Sequence, residues 1–313
     1  GYFLNNKTKS IRALETSYSI ADNIRQKGLP IPKPIKNLNG NFVSVFNEEN
    51  FVLMDFADGE SFDNTNPDKI TRALSSAGKT LGLFHIAGAQ LCSENTTIFT
   101  ELTRNVPFEK PYEESVKLYH EFFRKTLISS HTCTTPEICH IVKESIGAID
   151  AAVEYVGESG VSDSSKLSSG IVHNDFNERN ALFDENGSVI AILDIDQLGI
   201  APYIWDVGNS LLYFSELDAK ENPSHLETAA ETFLKEYNKQ NPIHGNDYAL
   251  SAPAMVRWNL LRLLRSLRRH HFENNRLPEL LLKIKTKLFP RIKNIPQQFS
   301  FINQSWIEKK VLA

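Results

Sequence analysis

The stretch GIVHNDFNERNALFDENGSVIAILDID, Gly170 to Asp196, decides how the rest of the chain is read. IVHND and NALF are short extended pieces, DENG is a turn, and SVIAILDID is an apolar strand, so the segment reads as a β-hairpin. Asn186-Gly187 predicts a tight turn with both central residues at φ > 0. Into this hairpin the sequence places His173, Asp175, Asn180, Asp194 and Asp196. Buried carboxylates are costly unless they are paired or hold a metal. Either these groups cap turns and face water, or they form a metal–nucleotide site.

The spacing favours the second reading. Phosphoryl transfer needs a carboxylate to orient an attacking hydroxyl and oxygen ligands to hold Mg²⁺ against the phosphates. Asp175 and Asn180 fall five residues apart in one tight loop, and Asp194 arrives fourteen residues later at the end of the returning strand. A hairpin of that length brings its ends together. Asp194 can therefore lie beside Asn180, and the two can hold metal while Asp175 points at substrate.

Working outward, residues 11–27 read as a helix that Gly28 and Pro30 stop. NFVSVFNEENFVLMDF (41–56) holds two antiparallel strands around NEEN, and DGESFDNTNPD is a loop. From Asp68 the character turns helical, with Ile70, Leu74, Ala77, Leu81 and Phe84 in one stripe. Further helices are predicted at 112–129 and 135–157, then a polar loop at 157–170 leads into the hairpin. Beyond it come helices at about 203–215, 224–240, 249–271, 277–293 and 297–310. The outline is a small strand-rich part, 1–56, and a larger helical part, 57–313, with the hairpin embedded in it.

The pattern H-x-D-x-x-x-x-N, followed by a strand ending in Asp and then by APYIWDVGN, resembles the aminoglycoside phosphotransferase and choline kinase-like family, relatives of the protein kinases. NFVLMDFADGESF looks like that family's strand, hinge and first helix of the large lobe. The resemblance covers residues 1 to about 215 and the C-terminal helices only loosely. It implies a two-lobe, protein-kinase-like α+β fold with nucleotide in the cleft. It implies a catalytic loop at 173–180, with Asp175 as base and His173 as its orienting histidine. Asn180 and Asp194 become Mg²⁺ ligands at a strand end of 194–196, with Asp196 beside the metal. ATP would lie along Met54-Asp55-Phe56-Ala57, its adenine edge on the Asp55 carbonyl and the Ala57 amide. Glu15 stands where the family pairs a glutamate with the ATP-binding lysine. Asp206 is read as an N-terminal helix cap or a support to the catalytic loop.

One part of the family pattern has no counterpart. YFLNNKTKS offers only Lys7 and Lys9 for the lysine of the third strand, and no glycine-rich phosphate loop precedes it. The expectation is that loop and lysine lie upstream. The rival reading is a kinase-like scaffold that has lost catalysis. A metal hydrolase on His173, Asp175 and Asp194 is weaker, because a single His makes a poor transition-metal site.

Composition bounds the rest. The chain has 313 residues, 41% hydrophobic and 23% charged, with a net charge of −4, so no affinity for nucleic acid follows. Three cysteines in no ligand spacing and no apolar run near the ~18 residues of a membrane span predict a cytoplasmic protein without membrane association. From Ser251 onward, 13 Lys+Arg face 3 Asp+Glu. In the helix RWNLLRLLRSLRRHH, Val256, Leu260, Leu263, Leu264 and Leu267 make the buried stripe, leaving Arg262, Arg265 and Arg269 on another face. That face is either solvated or grips a substrate carboxylate through Arg262 and Arg265. An amino-acid-like or amino-alcohol acceptor is expected, with HNDFNERN similar to the hydroxylysine kinase and homoserine kinase-like branches. An aminoglycoside, being a polycation, would prefer an acidic cleft. A choline-type acceptor needs an aromatic cage, for which Tyr203, Trp205 and Trp258 are candidates.

Overall fold

The computed structural model describes residues 2–6, 10–62, 67–95, 97, 102, 109–125, 136–219, 225–273, 286 and 288–312. Strand β1 (Tyr2–Asn6) leads to helix α1 (Ile11–Gln26), which Ser10 caps by accepting the Ala13 amide. Gly28, at φ 96, ends α1 as its sequence suggested. Strands β2 (Pro34–Ile35), β3 (Val43–Phe46) and β4 (Glu49–Met54) follow. β4 is the centre of one antiparallel sheet, with β1 along one side and β3 and β2 along the other. The β3–β4 turn puts Asn47 and Glu48 at φ 50 and 62, which is the primed turn that matches strand twist.

Helix α2 (Pro67–Glu94) buries the stripe Ile70, Leu74, Ala77, Leu81 and Phe84 as expected. Its small residues let α6 (His225–Gln240) approach closely. A methyl at Gly78 would press on the Phe233 carbonyl oxygen, and one at Gly82 would stand 2.9 Å from that of Tyr237. Because a backbone carbonyl cannot swing aside, Gly78→Ala is expected to cost about 3 kcal/mol, the upper range of overpacking, in chemical denaturation.

Helix α3 (Glu109–Leu118) continues as a π-helical turn, Tyr119–Phe123, where a longer α-helix was predicted. Helix α4 (Pro136–Ser159) precedes β5 (Ser169–Val172). The hairpin strands are β6 (Ala181–Phe183) and β7 (Val189–Ile192). The turn between them differs from the predicted one. Only Gly187 has φ > 0, at 83°, while the Asp184 carboxylate accepts the Asn186 and Ser188 amides and winds the turn itself. β7 also ends earlier than SVIAILDID suggested, since Asp194 turns left-handed at φ 55, ψ 44 and a 3₁₀ turn, Ile195–Gln197, follows.

Strand β8 (Gly199–Pro202), absent from the sequence reading, pairs antiparallel with β5. Helix α5 (Tyr203–Ala219) begins directly after it. The predicted 249–271 helix is found as α8 (Ser251–Glu273), preceded by a short helix, α7 (Gly245–Tyr248), that the sequence reading lacked. Of the predicted 277–293 helix, residues up to 285 lie outside the described part, and α9 spans Phe289–Gln298. α10 spans Gln304–Lys310. One continuous apolar cluster joins Leu14, Tyr18 and Val52 to Leu81, Phe84, Phe214 and Leu260. Among the described residues no helix is long and apolar enough to cross a membrane.

The hairpin is tied to its surroundings at three points. The Ile192 amide donates to the Pro30 carbonyl at 2.7 Å, Glu60 and Phe183 exchange backbone bonds, and the Val189 amide donates to Ser76 Oγ at 2.8 Å. The sheet-forming part, the segment after β4 and α2 therefore all meet on one short β-ribbon.

Candidate active site

β5 delivers the chain into a buried loop at His173 and Asn174. This loop is held from below by Asp206, in the first turn of α5, whose carboxylate is fully buried. One Asp206 oxygen accepts the His173 amide at 2.8 Å and His85 Nε2 at 3.1 Å; the other accepts the Asn174 amide at 2.9 Å. Asn174 takes φ 68 and also donates its side-chain amide to the Gln197 carbonyl at 2.9 Å. Of the two roles considered for Asp206, the structure builds loop support.

His173 itself donates Nε2–H to the Leu193 carbonyl at 2.9 Å and accepts the Asp175 amide on Nδ1 at 3.3 Å. Both ring nitrogens are thus used by a neutral imidazole, and burial pushes its pKa down against the opposing pull of Asp206. The ring fixes the backbone at Asp175 and the strand end at Leu193 together.

Asp175 is half-buried and faces two amides. Asn177 Nδ2 lies 3.0 Å from Oδ1 and Asn180 Nδ2 lies 3.2 Å from Oδ2, and both also donate to the Asp175 carbonyl. Burial raises the Asp175 pKa to about 6, with the Arg262 charge pulling it down and the Asp194 charge raising it further. The Leu193 amide donates to the Asn180 carbonyl at 2.8 Å, so Asn180 and Asp194 are carried on adjoining rungs of the hairpin. Tyr18 on α1 packs beside the same strand end; burial, then the charges of Asp196 and Asp194, push its phenol up. His173, Asp175, Asn180, Asp194, Asp196 and Asp206 are thereby brought together, and Arg262 joins them electrostatically from α8.

The remaining candidates are placed differently. Met54 is buried at the end of β4, and the Asp55 amide donates to the Lys33 carbonyl at 2.9 Å. Ala57 follows on the segment that Glu60 joins to β6. Glu15 is turned to β3, where its carboxylate accepts the Phe42 and Val43 amides at 3.1 and 2.7 Å. That use differs from the lysine pairing implied by the resemblance; Lys7 and Lys9 lie outside the described residues. Arg265 is half-buried one turn beyond Arg262, and it is Arg262 whose charge bears on Asp175. The Arg269 side chain lies outside the described part.

Sequence reasoning missed His85 and Tyr237. His85 bridges Asp206 to the Tyr237 hydroxyl, 2.7 Å from Nδ1, and stacks on Tyr203 at 4.6 Å. Asn241 in turn donates to Tyr237 at 2.9 Å. The available signal was a polar ring one turn from Leu81 on the buried face of α2, where it must find partners.

Comparison with known proteins bears on the fold and the family. A spectinomycin phosphotransferase solved with ADP and spectinomycin superposes with a TM-score of 0.66 at 13% identity, covering 95% of this chain and 85% of its own. An amicoumacin kinase solved with AMP-PNP, Ca²⁺ and its antibiotic gives 0.64 at 17%, covering 94% and 80%. The ethanolamine kinase of Plasmodium vivax gives 0.58 at 13%, covering 94% and 77%. At such identities the likeness concerns the fold, which is the kinase-like two-lobe α+β type. No curated protein sequence matches the chain significantly. A family profile, the phosphotransferase enzyme family, matches residues 6–239, a span that runs from the end of β1 through the 173–194 hairpin to α6. On that match the chain belongs to the phosphotransferase enzyme family, and it is a phosphotransferase acting on a hydroxyl group of a small molecule.

Proposed function

We propose that the protein is an ATP- and Mg²⁺-dependent O-phosphotransferase whose base is Asp175. The observation that carries this reading is the half-buried Asp175 carboxylate, fixed by Asn177 and Asn180 and set beside the Asp194 strand end. The acceptor hydroxyl attacks the γ-phosphorus, a new P–O bond forms, and the bond to the β–γ bridging oxygen breaks as ADP leaves. Asp175 orients the hydroxyl and takes its proton. Catalysis of this kind is mainly positioning and electrostatics. His173 and Asp206 position the loop and touch no substrate.

The residues present fit a hard divalent cation. Asn180 spends its side-chain nitrogen on Asp175, so its oxygen is the atom left for a cation, and the neighbouring Asp194 contributes a carboxylate. Two protein oxygens plus phosphates and water is the ordinary Mg²⁺ arrangement. When bound there, Mg²⁺ would neutralise phosphate charge. Adenine is assigned to the Met54–Ala57 stretch, because Glu60 bonds the following segment to the hairpin that carries Asn180 and Asp194.

Two pH effects follow from the raised Asp175 pKa. The base form is needed for turnover, so kcat/KM should rise with pH along a limb centred near 6. Folding favours the protonated form, so its stabilisation is complete below about pH 4 and lost as pH climbs through about 6. Asp175→Asn does not titrate. Its unfolding free energy relative to wild type should therefore improve by about 2 kcal/mol between pH 4 and pH 7, whatever the offset at either end. A rate limb below pH 5 with no such trend in denaturation would show the carboxylate to be solvated, and would remove the raised pKa from this reading.

A further inference from the structure

Residue 85 lies on the buried face of α2, beside Leu81 and Phe84, where a leucine would serve packing equally well. A ring with two nitrogens is costly there unless both are bonded, and here both are. His85 Nε2 stands 3.1 Å from an Asp206 oxygen, and Nδ1 stands 2.7 Å from the Tyr237 hydroxyl of α6. A carboxylate can only accept, so Nε2 carries the hydrogen and Nδ1 accepts from the phenol. The opposite tautomer would set a bare nitrogen against the carboxylate. It would also aim two donors, the ring N–H and the Asn241 amide, at one phenol oxygen. Burial raises the Tyr237 pKa well above its ordinary value, so the hydroxyl keeps the hydrogen that it donates. Asn241, Tyr237, His85 and Asp206 thus form one directed chain of hydrogen bonds that ends on the His173 and Asn174 amides.

The ring is locked by its faces as well. Tyr203, the first residue of α5, stacks on it at 4.6 Å, and the Tyr203 hydroxyl lies so near Gly170 of β5 that a methyl there would overlap it. Phe84 packs its ring 5.9 Å from that of His173. Two consecutive residues of α2 therefore brace the loop, Phe84 through the histidine and His85 through the carboxylate. The loop needs bracing, because Asn174 sits at φ 68 and such backbone persists only where its surroundings over-determine it. Asp175 follows directly, its amide on His173 Nδ1. We propose that His85 is a positioning residue for phosphoryl transfer: its Nε2–H fixes the plane of the Asp206 carboxylate, so that both oxygens meet the loop amides and Asp175 is held in one orientation. This inference rests on the reading of Asp175 as the base. His85 touches no substrate and acts through Asp206, while Tyr237 acts through His85 by fixing the tautomer. A buried chain with every member satisfied rigidifies one arrangement.

The test uses the full chain and reads two quantities. Amide hydrogen exchange at His173 and Asn174 is followed by NMR, with the amides of α8 as control. ADP release from Mg·ATP is followed with water alone and with choline, homoserine, threonine and an aminoglycoside as acceptors. His85→Leu, which fills the space and loses the donor, should speed exchange of the two loop amides at least about 10-fold while α8 stays within about 3-fold. Its kcat should fall about 10- to 100-fold with the KM for ATP within about 3-fold. His85→Gln, whose side-chain amide can donate in place of Nε2–H, should recover most of both. Tyr237→Phe removes one hydroxyl and serves if the Leu variant folds poorly. It should loosen the same two amides and populate the second His85 tautomer in ¹⁵N spectra. Loop exchange equal to wild type, acceleration spread evenly into α8, a Gln variant no better than Leu, or an unchanged kcat would overturn the inference. Loop amides loosened in Leu and restored in Gln, in a protein that releases no ADP under any condition, would keep the His85 brace and overturn the phosphotransfer reading.

Discussion

Asp175→Asn is expected to lower kcat by about 10²- to 10⁴-fold while ATP affinity stays within a few-fold of wild type. The substitution keeps the volume and removes the charge and the capacity to take a proton, at the cost of one of the two accepting oxygens that Asn177 and Asn180 face. Asn177 and Asn180, which donate to the Asp175 carbonyl as well as to its carboxylate, keep the loop in place through the carbonyl. Nucleotide contacts in this reading lie elsewhere, along Met54–Ala57 and at Asn180 and Asp194. Binding and turnover should therefore separate cleanly, which ADP-release kinetics and nucleotide titration on the same sample would read. Undiminished turnover would remove Asp175 from the chemistry. Lost nucleotide binding would mean that the carboxylate holds the metal rather than the acceptor.

The second large effect concerns a residue that touches no substrate. Asp206→Ala would strand three buried donors at once, the His173 and Asn174 amides and His85 Nε2. Each orphaned donor costs about 1–3 kcal/mol, and removing one partner of a buried charged network costs about 3–5 kcal/mol. Unfolding free energy should fall by about that amount, and activity should fall with it as Asn174 is released from φ 68. Asp206→Asn keeps one accepting oxygen and should recover part of both. Denaturation curves and kcat for the two variants check this; an Ala variant as stable as wild type would show that water replaces the carboxylate.

Legibility in the sequence followed the range of the interactions. The α2 stripe, the β3–β4 pair and the hairpin were readable because period and turn chemistry are local. The primed turn was assigned to Asn186-Gly187, yet it occurs at Asn47-Glu48, because Asp184 wraps its own turn with a side chain that propensity does not weigh. β8 escaped notice because four residues containing Gly199 and Pro202 look like a break; only pairing with β5 makes them a strand. The Asp175–Asn180–Asp194 grouping followed from hairpin geometry alone. The support beneath the site did not, since His85, Asp206 and Tyr237 meet through the packing of three helices. Family pattern also suggested a partner for Glu15, whereas the fold gives it the backbone of residues 42 and 43.

The Asp206 carboxylate also sets an order of events during synthesis. Its partners lie 33, 32 and 121 residues earlier in the chain. A growing polypeptide that has emerged only as far as the hairpin has the motif, the turn and both strands, but nothing to hold the His173 and Asn174 amides. Closing so long a loop is entropically slow and must precede any reward from the contact. The loop geometry is thus completed when α5, which follows the hairpin closely in the chain, docks beneath it and meets His85 from far earlier. Until α5 has emerged, the loop that bears Asp175 lacks the carboxylate that holds its two leading amides.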